Sequence, residues 1–166
     1  MSLLLAAVGA TVAALIEVTV VPYVAVGQGH PHPVLVLGAI WTVALGLDGG
    51  LAWAFVGGIA LDVLADRPLG SSAFALLIVT GVVAGIARAM SHLRPIAPVV
   101  AVLVASIVYS GLMVVLFSAL RDPLAISDPV ALLLPGLIYD VVLAVLIGPL
   151  VVAVRDRRQD QERVDW

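Results

Sequence analysis

A chain of 166 residues with 63% apolar residues, 11% charged residues and a formal net charge of −3 lies outside the range of a soluble domain, where apolar usage is about 45–50% and charge about 25%. Its mean hydropathy of +1.21 reads as a polytopic membrane protein of all-α class: at about 20 residues per span the length holds five or six crossings and leaves no room for a soluble domain. The absence of cysteine excludes disulfides, iron–sulfur clusters and thiol chemistry.

The first span is expected over residues 3–26. No basic residue precedes it and the run is too long for a signal core, so it reads as a retained span. Glu17 lies near its middle, and Pro22 beyond it predicts a kink, because proline removes one backbone hydrogen bond. Gly27-Gln28-Gly29-His30-Pro31-His32-Pro33 then forms a turn-rich polar connector. Residues 33–47 and 49–64 are two shorter apolar stretches around Asp48-Gly49-Gly50. They fit two short spans or one broken or re-entrant unit. The Asp-Gly-Gly turn signal, and the unusual tilt a single helix of about thirty residues would need, favour two.

Asp66-Arg67-Pro68 closes the third span, and residues 69–90 make the fourth, its far end marked by Arg88, His92 and Arg94. Pro95 suits the first turn of a fifth span over 95–120, which carries Ala101, Ala105 and Tyr109 on one stripe and Ser106 and Ser110 on another. Residues 121–128 are a polar connector, 130–154 the sixth span, and 155–166 a charged tail that cannot enter a bilayer. The expected organisation is a transmembrane domain over 1–154, with two of its six helices short, and a cytoplasmic tail over 155–166.

Orientation follows from arginine placement, as there is no lysine. With six spans, one side receives Arg88, Arg94, Arg155, Arg157, Arg158 and Arg163, the other Arg67 and Arg121. The arginine-rich side is expected to be cytoplasmic, which puts both termini inside and the His-Pro, Asp66-Arg67 and 121–128 connectors outside. If the second and third spans are one, the N-terminus changes side.

Two stripes of small residues, each hosting one acid, organise the pattern. Gly50, Ala54, Gly58 and Asp62 are spaced by four, as are Gly136, Asp140, Ala144 and Gly148, and side chains at that spacing share a helix face. Gly81 and Gly85 form a further small-xxx-small pair. Small residues let a second helix approach to backbone contact, where packing energy is found when lipid is as apolar as leucine.

Glu17, Asp62 and Asp140 all lie inside apolar runs, where an acid costs roughly 2.5–3.5 kcal/mol on insertion scales. They could line a proton path or a cation site. The competing and favoured reading is that each is neutral and hydrogen-bonded to a neighbouring helix, serving packing or partner binding, since no arginine lies at matching depth in the runs.

His30 and His32 flank Pro31 and could gather a metal with Asp66 or Asp128, but two histidines at i, i+2 in an extended loop usually point apart, and a polar turn is the simpler account. No metal or cofactor is expected. Asp156, Asp160, Glu162 and Asp165 offset the tail arginines, so there is no basic patch for nucleic acid. G-x-S-x-G, H-E-x-x-H and P-loop motifs are absent, and no enzyme is expected.

The segment over residues 49–85 resembles the central region of the rod shape-determining MreD family: a glycine-rich span of the form G-x-x-x-G-F/L-x-x-G-L-x-x-D, then Leu-Gly and another apolar span ending near glycine. The matching residues are Gly50, Gly58, Asp62, Leu69, Gly70, Gly81 and Gly85. Where members tend to start the second span with Pro-Asp-Leu-Leu, this chain has Pro31-His32-Pro33-Val34, and Asp140 stands where the last span of the family often has asparagine. The resemblance extends over nearly the whole length. It implies a non-enzymatic component of the machinery that builds side-wall peptidoglycan in rod-shaped bacteria, in the cytoplasmic membrane, beside MreC, the RodA polymerase and its penicillin-binding transpeptidase. It also implies six helices arranged like the substrate-binding subunits of energy-coupling-factor transporters.

Two functions are therefore open. In the first, the stripes of the third and sixth spans pack against each other or clasp the membrane helix of MreC, and the outward connectors meet its periplasmic part. In the second, the chain is a small-molecule transporter or substrate-capture subunit in which Glu17, Asp62 and Asp140 bind a cation or basic group. Aromatic residues at 5%, scattered along the chain, favour the first, because a ligand pocket usually gathers aromatic and polar side chains.

Overall fold

The computed structural model describes residues 2–25, 29–90, 96–120 and 129–164. The expectations placed on Gly27, Gln28, His92, Arg94, Pro95 and the 121–128 connector fall outside these residues. The described chain forms α1 (Ser2–Thr19), the single turn α2 (Val21–Val24), α3 (Pro33–Leu45), α4 (Leu47–Leu64), α5 (Ser71–Ala89), α6 (Ala97–Leu120) and α7 (Pro129–Val164). Among the described residues four segments are long and apolar enough to cross a membrane: α4, α5, Ala97–Ala119 of α6 and Leu134–Val151 of α7. Leu3–Thr19 and Pro33–Leu45 are shorter apolar helices. The protein is a helical, multi-pass membrane protein.

The organising element is the shortest of the six longer helices. α3 packs on α1, α4, α5, α6 and α7, which follow one another around it because each of the pairs α1–α4, α4–α5, α5–α6 and α6–α7 is also in contact. Val34, Leu35, Val36, Ala39, Ile40 and Ala44 of α3 are accordingly buried. At 1.5 Å per residue its thirteen residues reach about 20 Å, short of the roughly 30 Å hydrocarbon core. A helix this short is tolerated where neighbouring protein, rather than lipid, surrounds its ends.

The interior is built from small side chains: Ala6, Ala10, Ala13 and Ala14 of α1, Ala101 and Ala105 of α6 and Ala144 of α7 are all buried. The large apolar side chains point the other way, with Leu4, Val8 and Val12 of α1, Phe55 of α4, Ile107 of α6 and Leu146 and Leu150 of α7 exposed. That inversion of the soluble pattern is what a lipid solvent selects, since close backbone approach supplies the packing. Larger buried side chains, among them Ile40, Leu61, Leu76 and Tyr109, are the exceptions, and the bulkiest is Trp53. Its ring lies so close to Gly9 of α1 and Gly38 of α3 that a Cβ on either would come within 2.7 Å of it, and its Nε1 donates to Val34 O at 2.9 Å.

Three boundaries differ from the sequence reading. The kink expected at Pro22 is a break: α1 stops at Thr19 and Pro22 opens a separate turn, because proline has no N–H to give and its ring crowds the preceding turn. The turn between the second and third spans is at Gly46 and not at Asp48-Gly49-Gly50. Gly46 has φ +99°, a conformation open to glycine, while Asp48 falls in the first turn of α4, where the helix dipole favours an acid. The sixth span and the first part of the tail are one helix, α7 running on to Val164 through residues such as Arg, Gln and Glu that are good helix formers.

The two small-residue stripes do not pack against each other: among the described residues α4 and α7 make no contact. Each stripe is covered by nearer neighbours. A Cβ on Gly58 would fall on the backbone of Ala73 at the start of α5, and one on Gly50 would meet the Thr42 hydroxyl of α3 and, at 3.0 Å, the Thr80 methyl of α5. On α7, Gly136 lies against His30 O and the His32 ring, both 3.4 Å from a Cβ built there, and Gly148 against Pro98 at 3.0 Å. Ala54 and Ala144 are buried with them. Gly81 and Gly85 face outward, with nothing within 4 Å of a Cβ. The α4 stripe is thus covered by α3 and α5 of its own chain at Gly50 and Gly58.

Candidate functional site

The short α3 is surrounded by α1, α4, α5, α6 and α7, so its first backbone N–H groups need acceptors within the protein. His32, its N-cap, offers no side-chain cap. Two of the three intramembrane acids fill that role. Glu17, from α1, accepts from Val34 N through Oε2 at 3.0 Å. Asp140, from α7, accepts from His32 N through Oδ1 at 2.8 Å and, through Oδ2, from His32 Nδ1 at 3.0 Å and Ser106 Oγ at 2.8 Å. Both carboxylates also sit at the positive end of the α3 dipole.

The third acid does the same for α5. That helix starts after Gly70, which has φ +90° and no side chain to cap with. Asp62, in the last turn of α4, receives Gly70 N at 2.7 Å through Oδ2, and Ser72 N at 3.0 Å and Ser71 Oγ at 3.2 Å through Oδ1. The three buried acids are therefore helix caps delivered in trans, each from a neighbouring helix. The small residues around Asp62 and Asp140 let the backbones come close enough for such short side chains to reach.

A second layer joins the caps. Arg67, on the connector after α4, donates from Nη1 to Ser72 Oγ at 3.2 Å and Tyr109 Oη at 3.3 Å. The Tyr109 ring meets the His32 ring edge-on at 5.7 Å, and His32 meets His30 at 4.6 Å. No arginine lies at matching depth in the apolar runs, but the expectation that follows from this, that a buried ion pair is disfavoured, has two exceptions to weigh. Arg67 extends into the bundle from its connector, and His32 forms an ion pair with Asp140 when protonated. The expectation that the two histidines point apart is corrected. The His32 backbone is bonded to Asp140 and the His30 carbonyl lies beside Gly136, and the two rings meet edge-on. Among the described residues no group of three metal-ligating side chains gathers.

Burial opposes protonation of His32, but the hydrogen bond and charge of Asp140, followed by the charge of Glu17, outweigh it and raise its pKa above the ordinary value. His30 is pushed down, first by burial and then by the charge of His32.

Glu17 differs from the other two acids. It is 6% exposed, and its Oε1 has no hydrogen-bond partner. It lines a cavity of about 330 Å³ between α1, α2, the His30 connector and the end of α4, together with Val18, Val21, Leu61, His30 and Arg67.

Of the residues singled out in the sequence, Asp62 with Gly58, and Asp140 with Gly136, sit in this network. Gly81 and Gly85 lie away from it, on the open face of α5. Sequence reasoning missed His32 as the partner of Asp140, Arg67 as a donor into the bundle and Trp53 as the packing centre. The available signal for the first was the Pro-His-Pro run, which places a donor where the helix start needs an acceptor from elsewhere.

Neither the curated proteins nor the solved structures contain a match to this chain. The family model for rod shape-determining protein MreD matches residues 1–155, a span that takes in α1 to α6, all three capping acids and the membrane part of α7, and the chain belongs to that family.

Proposed function

We propose that this protein is a non-enzymatic component of the bacterial cell-elongation (rod) complex in the cytoplasmic membrane, with its C-terminus in the cytoplasm. In this reading it binds MreC and supports side-wall peptidoglycan synthesis with RodA and its penicillin-binding transpeptidase. Family membership supports the role in rod shape. The observation that carries the scaffold reading is the use made of the acids: Asp62 and Asp140 are spent on fixing the 67–72 and 30–32 connectors to the bundle. That leaves an ordered outward surface for a periplasmic partner, with Leu69 77% exposed on it. Gly81 and Gly85 supply a small-residue face for a partner helix. The six longer helices also suit an arrangement like that of energy-coupling-factor substrate-binding subunits, which belongs to the same proposal.

The test is co-purification with MreC from membranes. Leu69→Asp is expected to lower recovery of MreC about tenfold without changing the thermal midpoint of the purified protein, whereas Arg157→Ala and Arg158→Ala leave recovery unchanged. Equal recovery with Leu69→Asp and the unmodified chain, at matched expression, would remove the outward connector from the interface.

A further inference from the structure

The three acids are not equivalent. Asp62 accepts three hydrogen bonds and Asp140 three, whereas Glu17, whose side chain lines a cavity, has one oxygen on Val34 N and the other, Oε1, buried without a partner. An unpaired acceptor that deeply buried is costly, about 1–3 kcal/mol for the group, and native structures hold few of them. The cavity of about 330 Å³ has the size of a small-molecule site.

Its polar wall constrains what enters. Glu17 Oε1 needs a donor. A bare cation would meet the Arg67 guanidinium, and a bare anion would meet Glu17. Among the described residues no ion pair joins Glu17 to Arg67, and Ser72 and Tyr109 hold the guanidinium in place through Nη1. His30 is the third polar group of the wall, and Val18, Val21, Pro22, Ala25, Leu61 and Ala65 form the rest of the surface, which rejects a strongly hydrated occupant. We propose that this cavity binds a small zwitterion carrying an apolar substituent, its primary ammonium donating to Glu17 Oε1 and its acid group facing Arg67. Two sources share that chemistry: a free solute the size of an apolar amino acid, and the headgroup of an aminophospholipid from the surrounding bilayer.

The experiment is thermal unfolding of the full chain. In detergent, leucine is titrated against 4-methylpentanoate and isoamylamine, which each keep one charge. In nanodiscs, phosphatidylethanolamine is compared with phosphatidylcholine, whose quaternary ammonium has no N–H. A saturable rise of the midpoint by about 5 °C is expected with leucine or with phosphatidylethanolamine; a rise with leucine identifies the solute and a rise with phosphatidylethanolamine the lipid. Glu17→Gln, whose amide oxygen can still accept from Val34 N, and Ala25→Trp, an exposed position in the cavity wall, are each expected to abolish the rise while retaining the unliganded midpoint. No rise with either zwitterion, an equal rise with a single-charge analogue, or a rise that survives in Glu17→Gln overturns the proposal. If a variant shifts the unliganded midpoint, the single-charge analogues on the unmodified chain decide.

Discussion

His32 and Asp140, 108 residues apart in sequence, meet at two points: the carboxylate takes both the backbone N–H and the ring Nδ1–H of the histidine. One side chain thus caps α3, fixes the connector before it and ties α7 to the central helix.

That contact makes stability depend on pH in a definite direction. The folded-state pKa of His32 lies above its ordinary 6.5, so its contribution is fully present below 6.5 and is lost as pH rises through the folded value. His30, whose pKa is lowered, works on the acid side, where protonation of the unfolded chain below 6.5 opposes folding. The thermal midpoint is therefore expected to fall as pH rises above 6.5, and His32→Gln is expected to flatten that limb. A slope unchanged in His32→Gln would assign it to another group.

Removing the cap of α5 is expected to be costly. Asp62→Ala leaves Gly70 N and Ser72 N without their acceptor in a buried setting and is expected to destabilise by about 2–4 kcal/mol. Asp62→Asn, which keeps one acceptor oxygen, is expected to cost roughly half as much. Unfolding in mixed micelles measures the difference, and faster amide exchange confined to residues 70–74 would locate it at the helix start.

The glycines separate packing within the chain from contact with a partner. Gly58→Leu drives a side chain into the Ala73 backbone and is expected to cost about 3 kcal/mol or more. Gly81→Leu and Gly85→Leu enter open space and are expected to change stability by no more than about 0.5 kcal/mol. Loss of rod shape in cells carrying a normally folded Gly81→Leu protein would mark that face of α5 as a contact with another membrane helix. Normal shape would leave it facing lipid.

Trp53 offers a spectroscopic handle. Trp53→Phe removes the bond to Val34 O and is expected to cost about 1 kcal/mol, while Trp53→Ala also opens a void between Gly9 and Gly38 and is expected to cost about 3–5 kcal/mol. Midpoints of thermal unfolding for the two variants would rank these effects.

Much of the architecture was legible from local pattern. Apolar runs marked the helices, and small residues spaced by four identified Gly58 and Gly136 as places of close approach, although the same spacing at Gly81 and Gly85 marks an open face. What local pattern does not carry is the pairing of distant residues. Asp140 is an acid in an apolar run from its neighbours alone, and its partner lies on a connector. The two halves of the pair lie in separate stretches, His32 between two prolines and Asp140 within the last apolar run, and only their contact joins them. The break at Gly46 was obscured because Asp-Gly-Gly is a strong turn signal, yet the same aspartate suits a helix start. Arg67 was missed because counting arginines by side assigns the residue to water, whereas its long side chain carries the guanidinium back into the protein.

The shortness of α3 bears on how the protein is made. Thirteen apolar residues are too few to lodge across a bilayer as an independent span, and only one glycine separates them from α4. The two helices are therefore expected to enter the bilayer as a hairpin anchored by α4, and the contacts of α3 with α6 and α7 cannot form before the last helix is made.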